Sequence, residues 1–404
     1  MKGFLRRLRR GRADAADETE QNEYFENISA NLGIFQVILY LSLFAFVILS
    51  FAKNTSLITY HNFYYFFKDL NASSQTVDIS ADSVTYPTDV TQSFTLFRKG
   101  LAVAGNKNLT VFTATGRQTV ASMHHYTNPT AIASDKYLLV YDFGGTQFSL
   151  YNSYTRVYEG KSDYPLFGAA ISDAGSFALI TQSEKHASVV LLYNNNFSLI
   201  GRYNKTGYVT GISINPRGTL LAIMTSRTEN GFWSTELELF KPGESAAQIQ
   251  KEVASSVGLT CEFTANDTVA VLCSGGLLHV NAKGEIRERY DFSGQTIAQF
   301  YLGEDGAVLC LQAESVSLRD TLVVFDRNGA IRYQNELPEK AEQITRSGNR
   351  IFMLTTNGVG CLDISNRKYL FENRSTRQAC ILAIDADTVL ICTPQKAEYC
   401  EFVS

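Results

Sequence analysis

Eight short apolar runs, each followed after a polar turn by a second strand ending in an aromatic, predict an all-β protein, an eight-bladed β-propeller. An uncharged stretch of 21 residues, Leu32 to Ala52, adds one N-terminal transmembrane helix. The apolar runs are Leu101–Ala104, Tyr137–Tyr141, Phe177–Ile180, Leu220–Met224, Val269–Cys273, Ala307–Leu309, Ile351–Leu354 and Val389–Cys392. Counted from Ala102 through Leu138, Ala178, Leu221, Ala270, Val308, Phe352 and Leu390, their intervals run from 36 to 49 residues. A repeat of roughly 40–45 residues carrying four short strands is the size of one propeller blade. Seven blades is the alternative, if two units merge.

Each unit justifies its own strands. The run Gly218–Met224 is almost wholly apolar, which suits a strand buried on both faces between neighbouring blades and predicts that it is the inner one. The next strand alternates and ends in an aromatic or Asp, as in Leu109–Phe112, Phe148–Tyr151, Leu191–Tyr193, Leu237–Phe240 and Leu322–Asp326. Gly116, Gly284 and Gly329 then open a hairpin into the outermost strand. Ahead of the apolar strands lie Ser172–Gly175, Asn215–Gly218, Asn266–Asp267, Gly303–Gly306 and Ser347–Asn349. Taken singly, these acids resemble catalytic or metal carboxylates. Their recurrence at equivalent places makes them turn residues, with Asp and Asn bonding the backbone and Gly taking positive φ.

The last unit supplies three strands, Ala379–Asp385, Val389–Thr393 and Ala397–Phe402, before the chain stops. A three-stranded blade exposes sheet edges, so the segment near Thr76–Ser80 is expected to pair with it and close the ring.

Ahead of the propeller, at residues 76–404, the chain divides into three parts. Residues 1–31 form a charged tail, with Lys2, Arg6, Arg7, Arg9, Arg10 and Arg12 followed by Asp14, Asp17, Glu18, Glu20, Glu23 and Glu26. Residues 32–52 are the transmembrane helix, about 30 Å long at 1.5 Å per residue and so matched to a bilayer core. Only Lys53 follows that helix closely, so the cationic excess predicts a cytoplasmic N-terminus and an extracellular C-terminal domain on a single-pass cell-membrane protein. A cleaved signal peptide is the rival reading, but the leader and the apolar run are both too long for it. Residues 53–75 are an aromatic juxtamembrane segment and linker; Tyr60 and Phe63–Phe67 suit a short helix at the lipid headgroups.

Residue chemistry nominates no site: no catalytic, cofactor-binding or metal-ligating residue, and no cofactor. The seven cysteines, at 261, 273, 310, 361, 380, 392 and 400, all follow the membrane segment. Hairpins are expected to bring Cys261 near Cys273 and Cys380 near Cys392, at the spacing of a non-hydrogen-bonded pair. Their odd number and apolar surroundings favour reduced, buried thiols over a disulfide framework. His124 and His125 are adjacent, so on a strand they point to opposite faces and do not chelate together. Eight Asn-x-Ser/Thr triplets, among them Asn108, Asn196, Asn204, Asn266 and Asn373, fit ordinary turns and linkers. A net charge of −4, with the cationic cluster confined to the tail, argues against nucleic acid as a partner.

Four stretches, Phe66–Ala72, Leu109–Arg117, Ser188–Asn194 and Arg202–Tyr208, resemble an uncharacterised bacterial family, a domain of unknown function. The resemblance covers nearly the whole chain. It implies a single-pass anchored protein of Gram-positive bacteria whose propeller is related to quinoprotein and WD-type repeats, and it transfers no functional residue. Quinoprotein enzymes of that kind dock blades through repeated Gly and Trp and stack their cofactor on aromatics. Trp233 is the only tryptophan here, so that docking motif is missing. The expected function is therefore a non-enzymatic, membrane-anchored extracytoplasmic scaffold that binds a protein or an envelope polymer. Its partners are the lipid bilayer and that protein or polymer. The alternative is a solute sensor or quinoprotein-like enzyme using the central channel, which predicts titratable groups converging there.

Overall fold

Alternation along a strand puts successive side chains on opposite faces, so a strand sandwiched between two blades has to be apolar at every position. The second strand of the fourth repeat shows this directly. Leu221 and Ile223 pack against the third repeat, whereas Ala222 and Met224 pack against the fifth. Eight such interfaces are filled by eight separate apolar clusters, the last of which joins Leu390, Cys392 and Ala397 to Leu101, Val103 and Phe112.

The computed structural model describes residues 35–45, 83–313, 319–374 and 379–402. The chain forms two units, Met1–Ala72 and Ser73–Ser404. In the second, eight four-stranded antiparallel sheets form a closed propeller. Blades 1 to 7 occupy residues 92–123, 129–161, 168–205, 208–254, 258–291, 295–336 and 343–373, and blade 8 combines 380–401 with 83–85. The first strands of successive blades touch around the ring, and that of blade 8 returns to that of blade 1. The eight-bladed expectation holds.

One element differs from the sequence reading. The apolar runs form the second strand of each blade, and the innermost strand is the one before it, such as Gln92–Phe97, Gly258–Ala265 or Gln343–Ser347. An innermost strand packs one face on its neighbour and turns the other to the central channel, so it carries no continuous apolar signal. Short side chains tie these strands together. Ser93 Oγ accepts from Ala131 N at 3.1 Å, Ser213 Oγ from Phe263 N at 3.1 Å, and Gln343 bonds both backbone groups of Ile381 at 2.8 and 3.0 Å.

Ring closure falls, among the described residues, to Ser83–Thr85, which pairs with Lys396–Glu398 as the outermost strand of blade 8; residues 76–80 lie outside the described residues. Three residues make a short edge, and Tyr86 reinforces it. Its N–H donates to Gln395 O at 3.1 Å, its hydroxyl donates to Thr393 O at 2.6 Å, and its ring is buried against Phe94 and Phe112.

Antiparallel order gives the ring two unlike faces. The tight turns from first to second and from third to fourth strand share one face, here the turn face. The second-to-third turns and the connections between blades share the other, the loop face. Phe402, just after Lys396–Glu401, stands at the turn face, whereas Thr85, opposite Lys396, stands at the loop face.

In the N-terminal unit, residues 35–45 are helical and exposed. Among the described residues no helix is long and apolar enough to cross a membrane. The rest of the expected 32–52 span, the tail and the aromatic segment lie outside the described residues.

Candidate functional site

The turn face is built from the turns that the sequence marks. Gly175, Gly218, Gly306 and Gly348 all take positive φ there, with Gly175 at 91° and Gly306 at 114°. Asn215 is buried; its Oδ1 accepts from Thr219 N at 2.7 Å and Leu220 N at 3.0 Å, and its Nδ2 donates to Asn266 O of the next blade at 3.0 Å. The acids also reach sideways. Asp173 accepts from Asp135 N at 3.0 Å and Asp305 from Gly348 N at 2.8 Å, so each carboxylate fastens its turn to a neighbour's. These residues work structurally, as turn chemistry predicts, with added bonds between blades.

Around the channel the innermost strands and the turns after them bring together charged groups, of which the sequence singled out only those of the Ser172–Gly175 and Gly303–Gly306 turns, and those as turn residues. Glu262, from Gly258–Ala265, accepts from Ser213 Oγ at 3.0 Å, and burial pushes its carboxyl up to about 7. Glu304 is raised by burial and by the nearby carboxylates of Asp173 and Asp135. These groups come from blades 2, 3, 5 and 6, so they converge across the ring. Leu96, Arg98, Asp135, Asp173 and Glu304 line a cleft of about 240 Å³ at this mouth. Arg346 is buried in the wall and donates to Phe325 O at 2.6 Å and Gly348 O at 2.8 Å. A charged residue inside an alternating strand, as in Cys261-Glu262-Phe263 or Thr345-Arg346-Ser347, is the sequence signal for such positions. No group of three or more His, Cys, Asp or Glu suited to a metal occurs among the described residues.

The loop face has a different character. Met123, Phe143, Phe167, Tyr208, Phe232 and Trp233 are exposed there, Met123 at 84% and Phe232 at 77%. Val90 and Leu259 add to the same face. Phe143 and Phe167 meet edge to face at 6.4 Å between blades 2 and 3. In blade 4 the strands Leu221–Glu229 and Phe232–Phe240 have nine residues each, against five for Leu138–Asp142 in blade 2. Four extra residues carry the hairpin about 13 Å further at 3.3 Å per residue. Phe232 and Trp233 ride on this projection. Beside its base opens a cleft of about 480 Å³, lined by Glu252–Ser256, Gly275, Gly276, Arg289 and Asp291. Arg289 is oriented there by donating to Val253 O at 3.0 Å. Elsewhere, Leu199 and Ile331 are exposed just after third-to-fourth turns.

The remaining sequence candidates resolve simply. His124 is buried with Nε2 at 2.7 Å from Gly105 O, while His125 is exposed, so the two point apart as expected. Buried His279 is pushed down to about 4 by desolvation. Six cysteines are buried and Cys380 is half-buried; all are free thiols. Cys380 faces Cys392 in register, whereas Cys261 faces Val271 and Cys273 faces Gly258. Cys261 and Cys273 thus stand two residues out of register, set by the tight turn at Asn266-Asp267 and the bulge at Phe263/Ala265.

The chain belongs to DUF5711, a family of unknown function, whose model matches residues 73–402. Among curated proteins, none matches it. Solved structures share the propeller fold at low identity. The C-terminal WD40 domain of Sif2 is 12% identical, with 82% of this chain and 100% of that chain covered and a TM-score of 0.57. BamB from Moraxella catarrhalis is 11% identical over 80% and 99% of the two chains, with a TM-score of 0.54. Chaetomium thermophilum Sqt1, bound to the N-terminus of ribosomal protein L10, is 13% identical over 80% and 98%, with a TM-score of 0.51. These likenesses establish the fold alone.

Proposed function

We propose that this chain is a non-catalytic interaction scaffold, anchored by residues 32–52 in a membrane and presenting its propeller outside the cytoplasm to a protein partner. The observation that carries the reading is the gathering of exposed aromatic and aliphatic side chains on the loop face, around a projecting hairpin with Phe232 and Trp233 at its tip. Clusters of exposed apolar side chains mark protein contact sites, and aromatics with Arg supply most of the binding energy in such sites. A solved propeller of the same fold, Sqt1, holds a protein segment, which accords with a protein ligand.

The test pairs topology with capture. Protease added to intact cells is expected to digest residues 76–404 and spare the tail. Crosslinked membranes are expected to yield one specific protein with the wild-type chain and none with Phe232→Asp/Trp233→Asp. Equal capture by both proteins, or a protected propeller, contradicts the proposal.

A second reading, solute binding in the channel, draws on the convergence of Glu262, Glu304, Asp173 and Asp135. Its ligand is cationic. Calorimetry with a polyamine distinguishes it: heat that vanishes in Glu304→Gln favours the channel, and no heat dismisses it.

A further inference from the structure

We propose that Cys380 and Cys392 are a reversible dithiol–disulfide pair, a redox-active site in the blade that closes the ring. Of the seven cysteines, these are the only two directly opposite each other on adjacent strands, at the ends of Cys380–Ala383 and Thr388–Cys392. Directly opposed Cα atoms in an antiparallel pair lie about 4.5–5.5 Å apart, inside the span that a disulfide bridges. The Ile381 N–H and C=O both bond the Gln343 side chain, so they point away from the partner strand. Cys380 and Cys392 are therefore the hydrogen-bonded kind of pair, not the closer kind expected from the sequence. At about 5.5 Å between Cα atoms, such a pair still lies within the range that a disulfide spans.

The two sulfurs are chemically unequal. The Cys392 thiol donates a hydrogen bond to the Cys380 sulfur, which lowers the Cys380 pKa and raises that of Cys392, with burial adding to the rise. Cys380 is the one half-buried cysteine, and the other six are buried. A more acidic, more accessible thiol beside a buried protonated one is the arrangement of an attacking and a resolving cysteine. The oxidant is a small disulfide such as oxidised glutathione. The Cys380 thiolate attacks one of its sulfurs, a mixed disulfide forms, and one thiolate leaves. Cys392 then attacks the Cys380 sulfur, passes its proton to the departing thiolate, and releases the second thiol. Two protein thiols become one disulfide, and one small disulfide becomes two thiols.

The location gives the bond a consequence. Cys392 immediately precedes Thr393, whose carbonyl receives the Tyr86 hydroxyl at 2.6 Å. Both cysteines belong to the apolar cluster that joins blade 8 to blade 1 through Val84 and Tyr86. Oxidation therefore fastens the innermost strand of the closing blade beside the contact that holds the N-terminal strand in the ring.

The test equilibrates the folded full-length chain in reduced or oxidised glutathione, quenches with acid, and alkylates in denaturant for intact mass. Seven alkylated cysteines are expected after reduction and two fewer after oxidation, with a peptide linking Cys380 to Cys392 that disappears on re-reduction. Cys392→Ser is expected to retain one glutathione on Cys380, and Cys380→Ser to form neither adduct nor bridge. Should Cys392→Ser not fold, the Cys380→Ser comparison decides alone, since that side chain is half-buried. Full alkylation after oxidation of a still-folded chain, or a bridge between other cysteines, overturns the proposal.

Discussion

The two faces of this ring are made of different materials. On the turn face, Asn215, Asp173 and Asp305 spend their hydrogen bonds on the backbone of their own and neighbouring turns. On the loop face, Phe232, Trp233, Tyr208 and Met123 stand in solvent with no such duty. The contrast teaches that polar residues recurring with the repeat serve the fold, whereas apolar residues that break the repeat are free to serve a partner. Blade 4 makes the point within one sheet: Asn215 anchors one end of it and Trp233 tips the other.

Substitutions sharpen the contrast in order of expected effect. Breaking the ring removes both faces together, so Tyr86→Ala, which deletes a buried ring and its hydroxyl bond to Thr393 O, is expected to cost about 3–5 kcal/mol in denaturant unfolding. Asn215→Ala leaves buried backbone groups of the turn unpaired and is expected to cost about 2–4 kcal/mol. Loss of stability below about 1 kcal/mol for Asn215→Ala contradicts the structural role given to the turn face.

Glu262 adds a pH signature. Its carboxyl titrates near about 7 in the folded chain, raised by burial from its ordinary 4.5, so the native state holds more protons than the unfolded state between those values. Stability therefore falls as pH rises through that window and levels off above it. Glu262→Gln is expected to flatten the decline of Tm between about pH 5 and 7; an unchanged slope contradicts the assignment. The smallest effect on stability is expected on the loop face. Phe232→Ser and Trp233→Ser should change unfolding free energy by less than about 0.5 kcal/mol while weakening partner binding at least about tenfold.

The sequence revealed these regions unequally. Second strands such as Leu221–Met224 were legible because both faces are buried, and the turns because Asn, Asp and Gly recur at fixed places. First strands such as Gly258–Ala265 were not, since one face meets the channel and their polar positions interrupt any apolar run. The closing strand was expected near Thr76–Ser80 and is seen at Ser83–Thr85, three residues that carry little pattern of their own. The loop face was illegible for another reason. Phe232 and Trp233 read as ordinary strand aromatics until the length of their hairpin, set by pairing from Leu221–Phe240 to Glu229–Phe232, carries them beyond the ring. The Cys261–Cys273 pairing failed because the tight turn at Asn266-Asp267 and the bulge at Phe263/Ala265 set Cys261 opposite Val271.

Photo-crosslinking from each face in intact cells tests the central claim most directly. A benzophenone residue at position 232 on the loop face, compared with one at position 331 near the turn face, separates the two surfaces. A protein adduct of defined mass from position 232 and none from position 331 is the expected result. Adducts from position 331 alone, or the same adduct from both, contradict it.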